Sequence, residues 1–568
     1  MRRSSTLLCW LSALSRLRLS SAAPYQEVLA SDAEDTKGAV ASESSICSRI
    51  GINMIKVGGS AADAMVATNL CVGVIGMYHS GIGGGGFMLV RDEDGRYETI
   101  DYRESAPAAA SRDMYKDDPL ASVRGPFAVA IPGELRGLEY LHNKHGRLPW
   151  RTVVRPAVKV ARDGFPVSED LIRYMNFASS YSSFLVDDPI WAEDFAPNGT
   201  LVKLGDVITR KRYADSLEKI ANQGPDVFYE GELAKSMVDY IQALNGTVTL
   251  DDFKNYTVRI KPALSIDYRD YKLFTTEAPS SGAVMLSILK TMEQYSLQDL
   301  YDHNLTTHRL VEAMKFAYGA RSELGDPDFV EDIKKYEELM ISNDKAREIR
   351  ALIMDNQTQP VDVYDPESLY AAESGGTSHI VTADCSGLTV SSTTTVNLLF
   401  GAQIMTPDSG IILNDEMDDF SQPGRRNSFG FEPSPANFIA PGKRPLSSIN
   451  PIIVEFASNG SLFFTTGAAG GSRIISATTQ VAFNLLEHSI NIHDAIAAPR
   501  IHHQLMPDVL HVEEGFDNGT FASLQQKKHN TTWMAPGGSS VQGIMRLWDG
   551  RFAAAGETRQ VNSGGLTT

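Results

Sequence analysis

The chain has 568 residues, 42 % of them apolar and 21 % charged. That suffices for a large packed core and excludes both a small disulfide scaffold and a disordered chain. Lys and Arg total 52 against 70 Asp and Glu, a formal net charge of −18, so the chain is a poor partner for phosphate backbones and no nucleic-acid partner is expected.

Residues 1–23 open with Met1-Arg2-Arg3, pass through Leu7-Leu8-Cys9-Trp10-Leu11 and end in the small residues Ser20–Ala23 before Pro24. That order resembles a secretory signal peptide; Arg16 and Arg18 interrupt it, and an N-terminal anchor is the other reading. Eight Asn-x-Ser/Thr sites, at Asn198, Asn245, Asn255, Asn304, Asn356, Asn459, Asn518 and Asn530, are candidate glycan acceptors. Together they predict the secretory pathway: secretion, the cell surface or a vacuolar lumen.

Residues 38–76 read as two helices. Ser44–Val57 is amphipathic and stops at Gly58-Gly59, and Ser60 with Asp63 three residues on forms a capping-box pattern. Ser60–Tyr78 is broken by Asp63 and Asn69, which predicts a buried helix rather than a membrane span. Cys47 and Cys71 fall on these consecutive helices, where a helical hairpin could join them in an oxidising compartment. Cys385 is left over and reads as a small buried hydrophobe.

Ser80–Gly86 is a glycine run entering the apolar Phe87-Met88-Leu89-Val90. A dinucleotide fingerprint needs the reverse order, with glycines between strand and helix. Residues 134–350 alternate helical patterns with short loops. The polar stretch 342–376, with Pro360 and Pro366, reads as a mobile connector. Thr389–Phe400 reads as a strand. Pro451–Phe456, the Asn459-Gly460 turn and Ser461–Thr466 read as a hairpin. The turn Gly467–Ser472 then leads into a helix from Ile474 to Glu487, placing backbone N–H groups at a helix start. Helices with two or more sheets favour a layered α/β or α+β fold.

The connector ends in Gly375-Gly376-Thr377-Ser378-His379. A threonine hydroxyl needs a base, and His379, two residues on along an extended chain, does not meet it productively. If the bond before Thr377 is cut, Thr377 gains a free α-amine of ordinary pKa roughly 7.7–8.0. That amine can take the hydroxyl proton, and Gly375-Gly376 supplies the flexibility such a scission needs. Taken alone, the same tripeptide is more often an ordinary loop. Twelve histidines include no His-Glu-x-x-His pair, and His502-His503 are adjacent, so no metal or cofactor site is predicted.

The residues around Thr377 resemble the gamma-glutamyltransferase (glutathione hydrolase proenzyme) family, in a eukaryotic-like form. The signature runs from Thr377-Ser378-His379 through Gly387 to Val390-Ser391-Ser392-Thr393-Thr394-Thr395-Val396-Asn397-Leu398-Leu399-Phe400-Gly401. Upstream it includes Gly81–Met88, Tyr102-Arg103-Glu104-Ser105-Ala106-Pro107, Ile131-Pro132-Gly133-Glu134, Leu148-Pro149-Trp150, Glu312–Tyr318 and Leu324-Gly325-Asp326-Pro327. Downstream it includes Asn414–Phe420, Pro445-Leu446-Ser447-Ser448 and Gly467-Ala468-Ala469-Gly470-Gly471.

The resemblance implies an α+β N-terminal-nucleophile hydrolase, a four-layer αββα sandwich built from both products of a self-cleaved precursor. The large subunit would span 24–376 and the small one 377–568, cut between Gly376 and Thr377. Thr377 would be the nucleophile, Thr395 its hydrogen-bonding neighbour, and Gly470 and Gly471 the oxyanion hole. Arg103, Ser447 and Ser448 would hold the α-carboxylate of a gamma-glutamyl group, and Glu416, Asp419 and Asn397 its α-ammonium. A Cys47–Cys71 disulfide also matches eukaryotic relatives. The expected activity transfers the gamma-glutamyl group of glutathione and its conjugates to water, amino acids or dipeptides. Two alternatives remain at this point: a related acylase acting on cephalosporins or poly-gamma-glutamate, and a non-catalytic family member.

Overall fold

Two antiparallel sheets lie face to face between two layers of helices. The computed structural model describes residues 37–365, 367–370, 376–426 and 432–568. Residues 1–23, expected to be a signal peptide or N-terminal anchor, lie outside the described residues, as do Pro366 and Gly375.

The first sheet contains β1 (Gly38–Ser42), β2 (Gly85–Arg91), β3 (Tyr97–Asp101), β4 (Arg259–Lys261), β7 (Gly376–Asp384), β8 (Thr389–Asn397) and β13 (Gly564–Thr567). Their spatial order is β13-β1-β7-β8-β2-β3-β4. The second contains β5 (Leu264–Tyr268), β6 (Tyr271–Thr275), β9 (Ile452–Phe456), β10 (Leu462–Ala469), β11 (Ser540–Arg546) and β12 (Phe552–Ala555), in the order β12-β11-β10-β9-β6-β5.

Alternation along the strands builds the layers, because successive side chains point to opposite faces. Ala39, Ala41, Leu89, Val381 and Ala383 from the first sheet meet Ile453, Leu462, Ile544, Phe552 and Ala554 from the second in one buried cluster. Their neighbours Val40, Met88, Val90, Ile380 and Val390 face the other way, into a core shared with α1 (Ser45–Lys56) and α2 (Ala61–Ile75). Phe464 and Val454 of the second sheet pack on α3 (Gly282–Glu293), α4 (His303–Arg321) and α5 (Arg473–Glu487). The result is the four-layer αββα sandwich.

Helix α2 is buried along its whole length and carries the expected cap. Ser60 Oγ accepts from Asp63 N (3.2 Å), and Ser60 N donates to Asp63 Oδ2 (2.8 Å). Cys47 and Cys71 are disulfide-bonded, with Cα atoms 5.4 Å apart, and join α1 to α2. Among the described residues, no helix is long and apolar enough to cross a membrane.

Three expectations are corrected. Residues 38–42 are a strand and not the start of a helix. Within 134–350, residues 264–275 form a hairpin, β5–β6, turning at Arg269 (φ 48°). Its burial alternates with period two, which marks a half-buried strand. Cys385 is exposed in the turn between β7 and β8 rather than buried. In the connector, Asn343–Leu352 and Val361–Tyr364 are helical.

Candidate active site

Thr377 is the second residue of β7, a strand buried along its length. The pairing of β7 with β8 breaks at this residue: Gly376 faces Asn397, whereas Ser378 faces Thr394. Thr395 and Val396 therefore oppose one residue, a bulge of the kind that re-aims side chains beside active sites. Val396 N donates out of the ladder to the His79 carbonyl (2.9 Å). Thr395 Oγ1 donates to the Gly376 carbonyl (2.5 Å) and accepts from Asn397 N (2.8 Å). That carbonyl belongs to the peptide bond joining Gly376 to Thr377.

The hydroxyl-rich sequence of β8 is explained by partners, since buried polar groups need them. Ser392 meets the Tyr102 hydroxyl (2.9 Å), Thr393 meets His379 Nδ1 (2.8 Å), and Thr394 donates to Glu134. His379 is thus committed within the sheet, and burial lowers its pKa to about 3. The upstream glycine run serves the same strand. A Cβ on Gly84 would overlap the Thr395 carbonyl oxygen, so the loop lies on the backbone that carries Thr395.

Thr377 is 5 % exposed and lines a cavity of about 910 Å³, together with Gly470, His79, Arg173, Tyr174 and Phe177. Gly470 (φ 128°) and Gly471 (φ 61°) follow the end of β10 and precede α5. A Cβ on Gly470 would come within 2.6 Å of the Gly538 carbonyl oxygen, so both dihedral and space require glycine there.

The charged candidates form a second, adjoining group. Glu416–Asp419 is one turn of 3₁₀ helix, which directs both carboxylates to Arg103: Nη1 donates to Glu416 and Nη2 to Asp419. Glu104 Oε2 stands 3.8 Å from Arg103 Nη1. Arg103 Nε also donates to the Pro445 carbonyl (3.3 Å), beside Ser447 and Ser448. Ser447 Oγ accepts from Ile449 N (3.3 Å), and Ser448 Oγ accepts from Arg321 (3.1 Å). Asn397 (φ 70°) links the two groups, since its Nδ2 donates to the Asp415 carbonyl (3.1 Å). Among the described residues that line the cavity, Thr377 and Gly470 appear, but Arg103, Glu416, Asp419, Ser447 and Ser448 do not.

Three carboxylates around one guanidinium cannot all ionise freely in a buried site. Burial raises Glu416 well above its ordinary value and also raises Asp419, against the pull of Arg103. It raises Glu104 to about 8, with Arg103 opposing. Burial alone would lower Arg103, but Glu416 and Asp419 raise it, so it stays charged. Both oxygens of Glu104, Glu416 Oε2, Asp419 Oδ1 and Asn397 Oδ1 are buried and accept no hydrogen bond within the structure. Such spare acceptors suit a second cation.

Sequence reasoning passed over several residues of the site. Glu104 adjoins Arg103 in a motif already singled out. Asn414 heads the acidic run and pins it: its Nδ2 donates to the carbonyls of Gly83 (2.8 Å) and Ala130 (2.9 Å). His79 immediately precedes the glycine run and carried no pattern of its own. As for metals, His308, Glu312 and His529 cluster with ligating atoms within 4.8 Å. However, His308 Nδ1 and His529 Nε2 share a hydrogen bond at 2.7 Å, closer than the roughly 3.3 Å that two nitrogens take on one tetrahedral zinc. Glu312 also accepts from Thr358 and Tyr364, so this group works as a hydrogen-bond tie between α4 and its neighbours.

The chain is similar to known proteins in sequence and in fold. A family model described as Gamma-glutamyltranspeptidase matches residues 47–566. The chain is 50 % identical to a glutathione hydrolase proenzyme of Arthroderma benhamiae, over 99 % of this chain and 98 % of that one. It is 36 % identical to the glutathione hydrolase proenzyme of Escherichia coli, over 93 % and 91 %. Among solved structures, a cephalosporin acylase from Bacillus halodurans has a TM-score of 0.80 at 24 % identity, covering 96 % of this chain and 98 % of that one. The gamma-glutamyltranspeptidase of Helicobacter pylori has a TM-score of 0.53 at 29 % identity, covering 56 % and 92 %.

Proposed function

We infer the chemistry of the site from the premise that the chain belongs to the gamma-glutamyltranspeptidase family and is a gamma-glutamyl transpeptidase/hydrolase. Thr377 is its nucleophile, and it becomes one by cutting the bond to Gly376. The observation that carries this reading is the Thr395 hydroxyl on the Gly376 carbonyl, at a break in the ladder beside the cavity. When Thr377 Oγ attacks that carbonyl, the oxygen gains negative charge and Thr395 already donates to it. The Gly376–Thr377 C–N bond then breaks as the hydroxyl proton passes to the leaving nitrogen, giving an ester on Oγ. Addition of water to that ester leaves Gly376 as a carboxylate terminus and Thr377 with a free α-amine. The products are the subunits 24–376 and 377–568.

In turnover, the α-amine takes the Thr377 hydroxyl proton and Oγ attacks the γ-carbonyl of glutathione or another gamma-glutamyl compound. The oxyanion is received by the backbone N–H groups at Gly470 and Gly471. One such donor is typically worth about 10²–10³ in rate. The α-ammonium is met by the spare acceptors of Glu416, Asp419 and Asn397. The α-carboxylate is met by Arg103, with Ser447 and Ser448. These contacts are remote from the bond broken and act by positioning it. The leaving amine departs into the cavity, and water, an amino acid or a dipeptide then discharges the acyl-enzyme.

All eight sequon asparagines are exposed, and the Cys47–Cys71 disulfide fits an oxidising compartment. Both support passage through the secretory pathway. Release from a gamma-glutamyl anilide tests the nucleophile: the Thr377→Ala variant should run as one uncut band and release nothing above background. Undiminished release by that variant would refute it.

A further inference from the structure

The cavity holds an ionisable pair that the chemistry above does not use. His79 lines the cavity with Thr377 and Gly470 and is 6 % exposed. Its Nδ1 stands 3.2 Å from Glu43 Oε2, and Glu43 is itself 4 % exposed. In the tautomer that donates Nδ1–H to this carboxylate, Nε2 carries no proton and can act as a base. The opposite ring edge lies against the scission point: a Cβ on Gly376 would be 3.4 Å from His79 Cδ2, the carbon beside Nε2. The ring has little freedom. Tyr78 and Tyr174 meet it edge-on, with centroids at 4.6 and 4.4 Å, and its carbonyl is tied to the bulge through Val396 N.

We propose that His79, held by the positioning residue Glu43, is a second catalytic residue that carries the proton of the amine entering or leaving the cavity. This rests on the reading of Thr377 as nucleophile. An acceptor amine arrives as an ammonium and cannot attack until it loses a proton. That proton passes to His79 Nε2, and the imidazolium is neutralised by Glu43. The amine lone pair then forms the C–N bond at the acyl carbon, and the carbonyl electron pair moves onto the oxyanion. On collapse the C–Oγ bond breaks, and Thr377 Oγ takes the second amine proton through the α-amine. His79 returns its proton to solvent. Cleavage of the donor runs these steps backward.

The charged and titratable groups around the pair come from several elements. Asp170, Arg173 and Tyr174 lie on the helix Glu169–Ser179, and Tyr78 precedes His79. Gln560 Nε2 reaches Glu43 Oε2 (3.4 Å) from the C-terminal segment. Arg559 also lines the cavity, but donates to Glu513, Glu557, Ile496 and Ala498.

The test uses the self-processed protein, a gamma-glutamyl anilide as donor and glycylglycine as acceptor, across about pH 6–9. His79→Gln should lower transfer about 10²-fold more than hydrolysis and erase the imidazole limb of the transfer profile. Millimolar imidazole should restore transfer to His79→Gly. Glu43→Gln, which keeps the ring, should shift that limb. Parallel loss of transfer and hydrolysis at every pH, without rescue, would overturn the proposal. If His79 variants do not mature, an unmoved limb in Glu43→Gln overturns it. A wild-type protein that releases the anilide but transfers nothing would overturn it while sparing Thr377; one that releases nothing would overturn both.

Discussion

At the scale of single residues, two hydroxyls and one carboxyl carry most of the testable content. Thr395 reaches the carbonyl of the bond to be cut, so its effect should fall on maturation. Thr395→Val should slow scission by about 10²–10³, seen as accumulation of the uncut chain on a denaturing gel. Glu104 is raised to about 8 by burial, against the pull of Arg103. It is therefore largely protonated below that pH and attracts an ammonium less strongly. Donor affinity should improve as pH rises toward 8, by up to about tenfold per unit. Glu104→Gln should flatten KM for the donor over the same range, and an unchanged KM profile would count against this role. The sequence singles out Thr377 as the proposed nucleophile by its context. Its bulge was not legible there, because pairing register depends on a partner strand and a distant loop. Glu43 was likewise invisible: 36 residues separate it from His79, and nothing in either segment signals the pair.

At the scale of elements, three short-range readings agree with the structure. The Ser60–Asp63 box, the Asn459-Gly460 hairpin and the acidic turn at 416–419 each depend on residues within a few positions of one another. The hairpin at 264–275 was lost among helical neighbours, although its alternation is plain once the window is shortened. Cys385 was misjudged because burial depends on where a turn ends, not on residue type. The Cys47–Cys71 bridge joins α1 to α2 across a separation of 24 residues. Removing it by Cys47→Ala with Cys71→Ala should cost about 3 kcal/mol, measured by denaturant unfolding against wild type. Because α2 packs beneath β7, with the Thr382 hydroxyl donating to the Ala61 carbonyl (2.8 Å), the loss should also slow maturation.

At the scale of the whole molecule, the sequence on either side of residue 376 is interleaved. In the first sheet β1 lies between β13 and β7, and β8 lies between β7 and β2. In the second, β9 pairs with β6. Each sheet thus needs strands from both sides of the cut, and the cluster between the sheets is shared by both. Layer order was not derivable from periodicity, which names strands but not their neighbours; the family resemblance supplied it. The cut should therefore leave a single particle: the fragments should co-elute under native conditions and part only in denaturant. The most direct test is intact mass and N-terminal sequencing of catalytically competent protein. The expected result is two chains, one ending at Gly376 and the other beginning at Thr377. Full activity from a chain with the Gly376–Thr377 bond unbroken would contradict it.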